Sequence, residues 1–484
     1  MNMAAQCLDH PSEQVAIIDL SEGARRDVTY GDLAQAVDGL ARYLQGEIQP
    51  GDRVGVLLGQ GLWCAAAHLA IWKIGAISVP LFKLFKQDAL ASRVGNAGCA
   101  LVLTDAEGAD LLGDLAPAVM AETAGVEGAP VPYAQAVATT PAVLIYTSGT
   151  TGAPKGALHG HGVLAGHLPG VALSHDHLGQ PSDCLWTPAD WAWIGGLFDV
   201  AMPALALGVP VIAGPGGKFS GEMCKAALDV GARNVFFPPT ALRMLKAEGT
   251  RLPGLRSVAS GGEPLGEEML AWGRDALGVT INEFYGQTEC NMVVSSCAAD
   301  FAPKPGCIGK PVPGFDVQVI DADESGEGDI AVRRGAPSMM LEYWQNPQAT
   351  AEKFRGDWLL TGDRGRLEGE FIRFVGRDDD VITSAGYRIG PAEIEDCLLT
   401  HPAVATVGVV GKPDALRTEI VKAYVVLKPN HPATEGELMD YVKSRLASYS
   451  YPREIAFLEA LPMTVTGKVI RKELKARAAR EGMT

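Results

Sequence analysis

Within the eleven residues Tyr146-Thr-Ser-Gly-Thr-Thr-Gly-Ala-Pro-Lys-Gly156, hydroxyls, glycines and one lysine are concentrated as nowhere else in the chain. Thr147, Ser148, Thr150 and Thr151 offer hydroxyl donors, while Gly149, Gly152 and Gly156 let the backbone amides approach a ligand closely. Lys155 adds a mobile positive charge. Amide donors, hydroxyls and a cation are together the chemistry that holds a polyphosphate. The spacing departs from Gly-x-x-x-x-Gly-Lys-Ser/Thr, so the usual P-loop reading fails. A flexible Gly/Ser linker is the plain alternative. The apolar run Ala142-Val-Leu-Ile145 directly before the loop argues against it, because that run reads as a buried strand.

The elements that position this loop follow from the rest of the sequence. With 484 residues, two or more domains are expected. A hydrophobic share of 47% and a charged share of 20% describe a globular chain with ample core material. The net charge of −16 argues against nucleic acid or an anionic membrane as a partner, so an anionic substrate needs local cations. Nine scattered cysteines without Cys-x-x-Cys point away from disulfides and zinc and towards a reducing cytoplasm. No basic segment followed by an apolar core marks a signal peptide near Met1. The most apolar stretch, Gly61 to Leu81, is interrupted by His68, Lys73 and Pro80 and reads as a buried helix and strand, not a membrane span.

Strand-like runs at 52–58, 100–103, 210–213 and 234–237 alternate with helical patterns at 62–72, 222–230 and 240–247, the last with Thr240 as N-cap. This alternation predicts parallel sheets covered by helices, hence an α/β fold. Residues 108–141 read as a surface connection. From about residue 310 short alternating strands (315–320, 329–333, 370–375) predict a small antiparallel or barrel-like sheet. The charged run Gly376-Arg-Asp-Asp-Asp380 reads as a domain boundary, with which a solvated turn is compatible. We place the boundary there, giving a large domain 1–378 and a small α+β domain 379–484, with helices at 391–399 and 434–446 and strands at 404–410 and 420–427. His159, His161, His175 and His177 lack metal-site spacing and read as loop histidines.

Five ordered segments carry a family resemblance: Tyr146–Gly156; Asn282-Glu-Phe-Tyr-Gly-Gln-Thr-Glu289; Thr361-Gly-Asp363; Gly376–Asp380 with Gly386-Tyr-Arg-Ile-Gly-Pro-Ala-Glu-Ile-Glu395; and Thr466-Gly-Lys-Val469. Together they make the chain resemble the adenylate-forming superfamily, most closely its acetyl- and medium-chain acyl-CoA synthetases. The resemblance implies two half-reactions. A carboxylate attacks the α-phosphate of ATP to give acyl-adenylate and pyrophosphate, and the thiol of coenzyme A then displaces AMP. It also implies roles. Thr147, Ser148, Gly149, Thr150, Thr151, Gly152 and Lys155 would hold the β- and γ-phosphates. Thr288 and Glu289 would meet the α-phosphate and Mg²⁺, with Glu289 the metal ligand. Gly261, Gly262, Glu263, Pro264 and Tyr285 would form the adenine pocket, with Asn282 and Gly286 beside them. Asp363 would bind the ribose and Arg377 the ribose or a phosphate. Lys468 would stabilise the charge passing between carboxylate and α-phosphate. Between the two steps the small domain would turn about Asp379, or its neighbour Asp378, exchanging Lys468 for the loop holding Gly386 and Arg388.

Gly286 stands where acetate-specific relatives carry Trp, which implies an acid larger than acetate, medium-chain or aromatic. Trp193 corresponds to an aromatic of the acid site, and Ser260 and Cys290 are further lining candidates. The small-molecule partners expected are the acid, ATP and CoA, and a homodimer is among the expected assemblies. Two other readings stay open. One is transfer of the acyl group to a carrier-protein pantetheine. The other is a catalytically silent nucleotide or acyl binder, against which Lys468 argues because mere binding does not need it.

Overall fold

The computed structural model describes all residues except 86, 148–154, 378–379, 385–386, 415–416, 447–450, 465–466 and 482–484; the side chains of Thr383, Tyr387 and Arg388 are likewise outside the description. Two mixed sheets dominate. In the first, Ile77–Pro80, Arg53–Leu57, Cys99–Thr104 and Ala118–Met120 run parallel beside Pro141–Thr147, and the antiparallel Lys155–Gly160 and Glu342–Tyr343 complete the edge. In the second, six parallel strands (Val15–Asp19, Val211–Ala213, Leu185–Trp186, Asn234–Phe236, Ser257–Gly261, Ile281–Gln287) are flanked by antiparallel neighbours at both edges.

Both sheets bury one face against the same helices. The helix Leu62–Lys73 (Leu-Trp-Cys-Ala-Ala-Ala-His-Leu-Ala-Ile-Trp-Lys) is apolar all round, and all but one of its residues are buried. Such a helix is stable only between layers. Tyr30–Glu47 has one apolar face and starts at a reciprocal cap between Thr29 and Asp32. Gly162–Ser174 approaches its neighbours through glycines: a Cβ on Gly170 would lie 2.7 Å from Cβ of Met292, and one on Gly166 would strike the Ser338 backbone.

A five-stranded antiparallel sheet (Val317–Ile320, Gly328–Arg333, Trp358–Glu368, Phe354–Arg355, Phe371–Arg377) follows. A last sheet holds Val404–Asp414 and Thr418–Leu427 with the helices Pro391–Leu399 and Glu435–Lys443, and it has its own core around Val409, Ala423 and Leu438. No helix among the described residues is long and apolar enough to cross a membrane.

Four local expectations are corrected. The helix Pro239–Ala247 starts at Pro238 without a side-chain cap, because proline fits the first turn where no amide partner is needed, so Thr240 is inside the helix. Residues 108–141 contain the end of a helix (Ala106–Leu112) and a strand (Ala118–Met120) before the irregular connection. Asp380 is buried and paired with Lys475 at 2.9 Å, so the charged run does not end as a solvated turn. His159, His161 and His175 are buried, with His175 bonded to Ser257 at 3.0 Å; only His177 is an exposed loop histidine.

Candidate active site

Parallel strands place functional groups at their carboxyl ends, and the second sheet does so here. Ser257–Gly261 ends at Gly261-Gly262, and Ile281–Gln287 ends at a two-residue hairpin turn made of Thr288 and Glu289. Gly261 is required by close approach, since a Cβ there would lie 2.5 Å from the Phe284 ring; Gly262 needs its freedom for φ +102°. Glu263 is paired with Arg243 at 2.9 Å, and Pro264 follows it in the same loop.

Glu289 is buried, and one of its oxygens accepts a hydrogen bond from the Tyr343 hydroxyl. Its other oxygen has no partner among the described residues. The Tyr285 hydroxyl donates to Asp363 at 2.6 Å, and burial followed by this carboxylate holds its pKa well above the usual phenol range. Asp363 lies opposite Arg377 across neighbouring strands. Lys353, which the motifs do not single out, stands in the middle. It feels the charges of Glu289, Asp363, Arg377 and Lys155, donates to the Thr361 carbonyl at 3.2 Å, and has its pKa lowered by burial. Tyr343 was equally invisible in the sequence. Its ring lies 5.3 Å from the Lys155 ammonium.

Thr147 and Lys155 face each other at the mouth of a hairpin whose tip, with Ser148, Gly149, Thr150, Thr151 and Gly152, lies outside the described residues. Asp379 and Gly386 lie outside them too, and Arg388 is placed only as a strand residue opposite Thr383. Lys468 comes from the far end of the chain. Its ammonium is 3.5 Å from where a Cβ on Gly262 would be, and Gly467 next to it packs on Thr240. Neither Lys155 nor Lys468 has a carboxylate partner among the described residues. In a chain of net charge −16, a lysine without a carboxylate partner is a local cation available to an anion.

Other expected residues are accounted for differently. The Asn282 amide is consumed by Ser174, Asp176 and Ala298, at the end of its strand opposite to Thr288, so it does not face a ligand. The Ser260 hydroxyl is buried and bonded to the Phe237 carbonyl at 2.7 Å. Cys290 is buried beside Ser338, and burial pushes its thiol up to about 12. Gly286 does not open free space, because a Cβ there would lie 2.6 Å from Cα of Asn291 and 2.7 Å from N of Met292. The expected consequence is that Gly286→Ala destabilises the fold by roughly 1–3 kcal/mol, readable by denaturant unfolding. Trp193 does have an aromatic setting, with Phe82 and Phe85 at 5.4 and 5.7 Å between ring centroids.

The segment bearing Lys468 is docked through buried charge. Asp396 lies against Gly266, and burial followed by the nearby Glu395 pushes its pKa up to about 7, with Arg243 opposing. Glu395 is paired with Arg471. A carboxyl raised on folding binds its proton more tightly in the native state, so its contribution is lost as pH rises from its unfolded value through about 7. The buried histidines act in the opposite sense, their pKa values being lowered by burial. The measurable quantity is therefore a difference. Between about pH 5 and about pH 8 the melting temperature of wild type should fall by several degrees relative to Asp396→Asn.

One group of possible metal ligands occurs among the described residues, His177, Cys297 and Asp300, with ligand atoms within 4.8 Å of one another. It adjoins Asp176, the partner of Asn282, and so lies away from Glu289.

Residues 3–344 match the family model described as AMP-binding enzyme, and residues 393–468 match the AMP-binding enzyme C-terminal domain. The chain is 35% identical to the uncharacterized acyl-CoA ligase YtcI of Bacillus subtilis, over 88% of this chain and 86% of that one. It is 32% identical to acetyl-coenzyme A synthetase of the same organism, over 98% and 90%. The structure of o-succinylbenzoate CoA synthetase of Bacillus subtilis in complex with its acyl-adenylate intermediate superposes with a TM-score of 0.84 at 27% identity, over 98% of both chains. The chain belongs to the AMP-binding enzyme family, as an acyl-CoA synthetase of the adenylate-forming superfamily.

Proposed function

We propose that the chain is an ATP-dependent acyl-CoA ligase that activates a carboxylic acid larger than acetate and releases AMP and pyrophosphate. The observation carrying this reading is the approach of Lys468, from the C-terminal region, to the Gly262 loop, which follows the strand paired with the one leading to Thr288 and Glu289. A nucleotide binder gains nothing from a mobile, unpaired ammonium there. An adenylating enzyme does, because negative charge shifts from the attacking carboxylate to the α-phosphate and its bridging oxygen. A preplaced cation stabilises that shift without reorganisation.

In this reading Lys155 and Thr147 hold the distal phosphates with the loop between them. Thr288 donates to the α-phosphate. Tyr285 presents its ring to the adenine while its hydroxyl holds Asp363, and Asp363 accepts from the ribose hydroxyls. Lys353 stands in the field of both Glu289 and Asp363, and its positive charge offsets theirs. The free oxygen of Glu289 suits Mg²⁺, which takes one or two protein carboxylates together with substrate phosphates and would neutralise phosphate charge there. The second step needs the Lys468 segment to move, and the proposed unit 379–484 has its own sheet and core. The nine free cysteines support a reducing compartment such as the cytoplasm. The Trp193, Phe82 and Phe85 cluster supports an acid with an apolar body, and the relative that acts on o-succinylbenzoate supports a bulky one.

The test is product analysis with ATP, Mg²⁺, CoA and a panel of carboxylic acids. AMP and an acyl-CoA formed in equal amounts support the reading. ADP in place of AMP, or no turnover with any acid, contradicts it.

A further inference from the structure

The π-helical turn Leu197–Ala201, four residues after Trp193, buries Asp199 with 4% of its surface exposed. Turns of this kind recur at functional positions because they re-aim one side chain. Asp199 has no lysine or arginine partner among the described residues. Its Oδ1 accepts from the Asn291 amide at 2.8 Å, and Nε2 of His167 lies 3.8 Å from the same oxygen, too far for a hydrogen bond. Nδ1 of His167 bonds the Val163 carbonyl at 2.7 Å and must therefore donate, which leaves Nε2 as an acceptor. That nitrogen is fully buried and has no hydrogen-bond partner among the described residues. A carboxylate and an imidazole lone pair thus face each other with a single donor between them.

The surroundings locate this cluster. A Cβ on Gly195 would lie 3.2 Å from the Phe236 ring and 3.7 Å from Oδ2 of Asp199, so the carboxylate and that ring both border this half-buried glycine. Asn291 backs onto Gly286 in the hairpin whose turn is Thr288-Glu289. Burial acts to raise the Asp199 pKa, as it must for a carboxyl whose only strong partner is an amide.

We propose that Asp199, with Asn291 and His167, forms the distal wall of the acid pocket and selects a carboxylic acid bearing a hydrogen-bond donor, an amine or hydroxyl, at the end remote from its carboxylate. This rests on the ligase reading above. A ligand donor supplies what the acceptor-rich wall lacks, whereas an apolar terminus leaves a buried carboxylate and imidazole unsatisfied. Sites built to hydrogen-bond a substrate group discriminate strongly against the analogue without it.

The test uses isosteric pairs in the pyrophosphate-release assay: omega-aminohexanoate and omega-hydroxyhexanoate against heptanoate, and para-aminobenzoate and para-hydroxybenzoate against para-methylbenzoate. In wild type, kcat/KM for the preferred donor-bearing acid should exceed that of its methyl isostere by at least about 10-fold. In Asp199→Asn that ratio should fall to within about 3-fold of unity, since the amide keeps shape but loses charge. The wild-type comparison stands even if the variant fails to fold. Preference for the methyl isosteres, or an unchanged ratio in a folded variant, overturns the Asp199 assignment and leaves the ligase reading intact. Absence of turnover with every acid, inside and outside these pairs, overturns both.

Discussion

Replacing Lys468 by Ala should lower pyrophosphate release from ATP and acid by about 10²–10³-fold, the loss typical of removing one preorganised group from developing charge. Because that charge develops in the transition state, kcat should fall while KM for ATP changes little. The thioester step, started from preformed acyl-adenylate and CoA, should keep most of its rate. The structural basis is specific. The ammonium reaches the Gly262 loop, has no carboxylate partner among the described residues, and sits on a turn tied by its backbone to Thr464 at 3.0 Å. Lys468→Arg should recover only part of the rate, because the guanidinium needs more room than a point charge. Equal losses in both half-steps would mean that Lys468 docks the segment and does not act on the reacting atoms.

Glu289→Gln is expected to have the next largest effect. The variant keeps an oxygen for the Tyr343 hydroxyl but loses the charge that a hard cation requires. Adenylation at a fixed Mg²⁺ concentration should drop by about 10²-fold or more, and the Mg²⁺ concentration giving half-maximal rate should rise. Tyr343→Phe should be milder, about 10-fold, since it removes only the group that orients the carboxylate. Two variants with the same loss and an unchanged Mg²⁺ dependence would assign Glu289 to packing.

Much of the architecture could be read from the chain because its signals are local. The strands at 53–57, 99–104, 141–147 and 234–236 are apolar runs between Gly, Asp and Pro, and the Thr288-Glu289 turn ends a continuous motif. What could not be read depends on residues far apart in the chain. Lys353 becomes part of the site only because the strand ending at Arg355 folds back on Trp358–Glu368 and brings it beneath Glu289 and Asp363. Tyr343 arrives through an edge pairing with Lys155–Gly160.

Side-chain direction was the other missing quantity. Asn282 sits in the motif yet points to Asp176, and Cys290 and Asn291, being adjacent in a strand, face opposite ways, towards Ser338 and Asp199. Gly286 shows the limit of reading size from residue type. The place vacated by a side chain is taken by the neighbouring strand, so the pocket's end is set by Asn291 and Asp199. The expected hinge at Asp379 and the phosphate-loop hydroxyls lie outside the described residues, and their roles rest on the motif alone.

The most direct measurement follows heavy oxygen from a labelled acid. If the carboxylate attacks the α-phosphate, each turnover with CoA leaves one of its labelled oxygens in AMP and none in pyrophosphate. That is the predicted result. Label in pyrophosphate or free phosphate, or unlabelled AMP beside a full yield of acyl-CoA, would contradict an acyl-adenylate intermediate and with it the role given to this site.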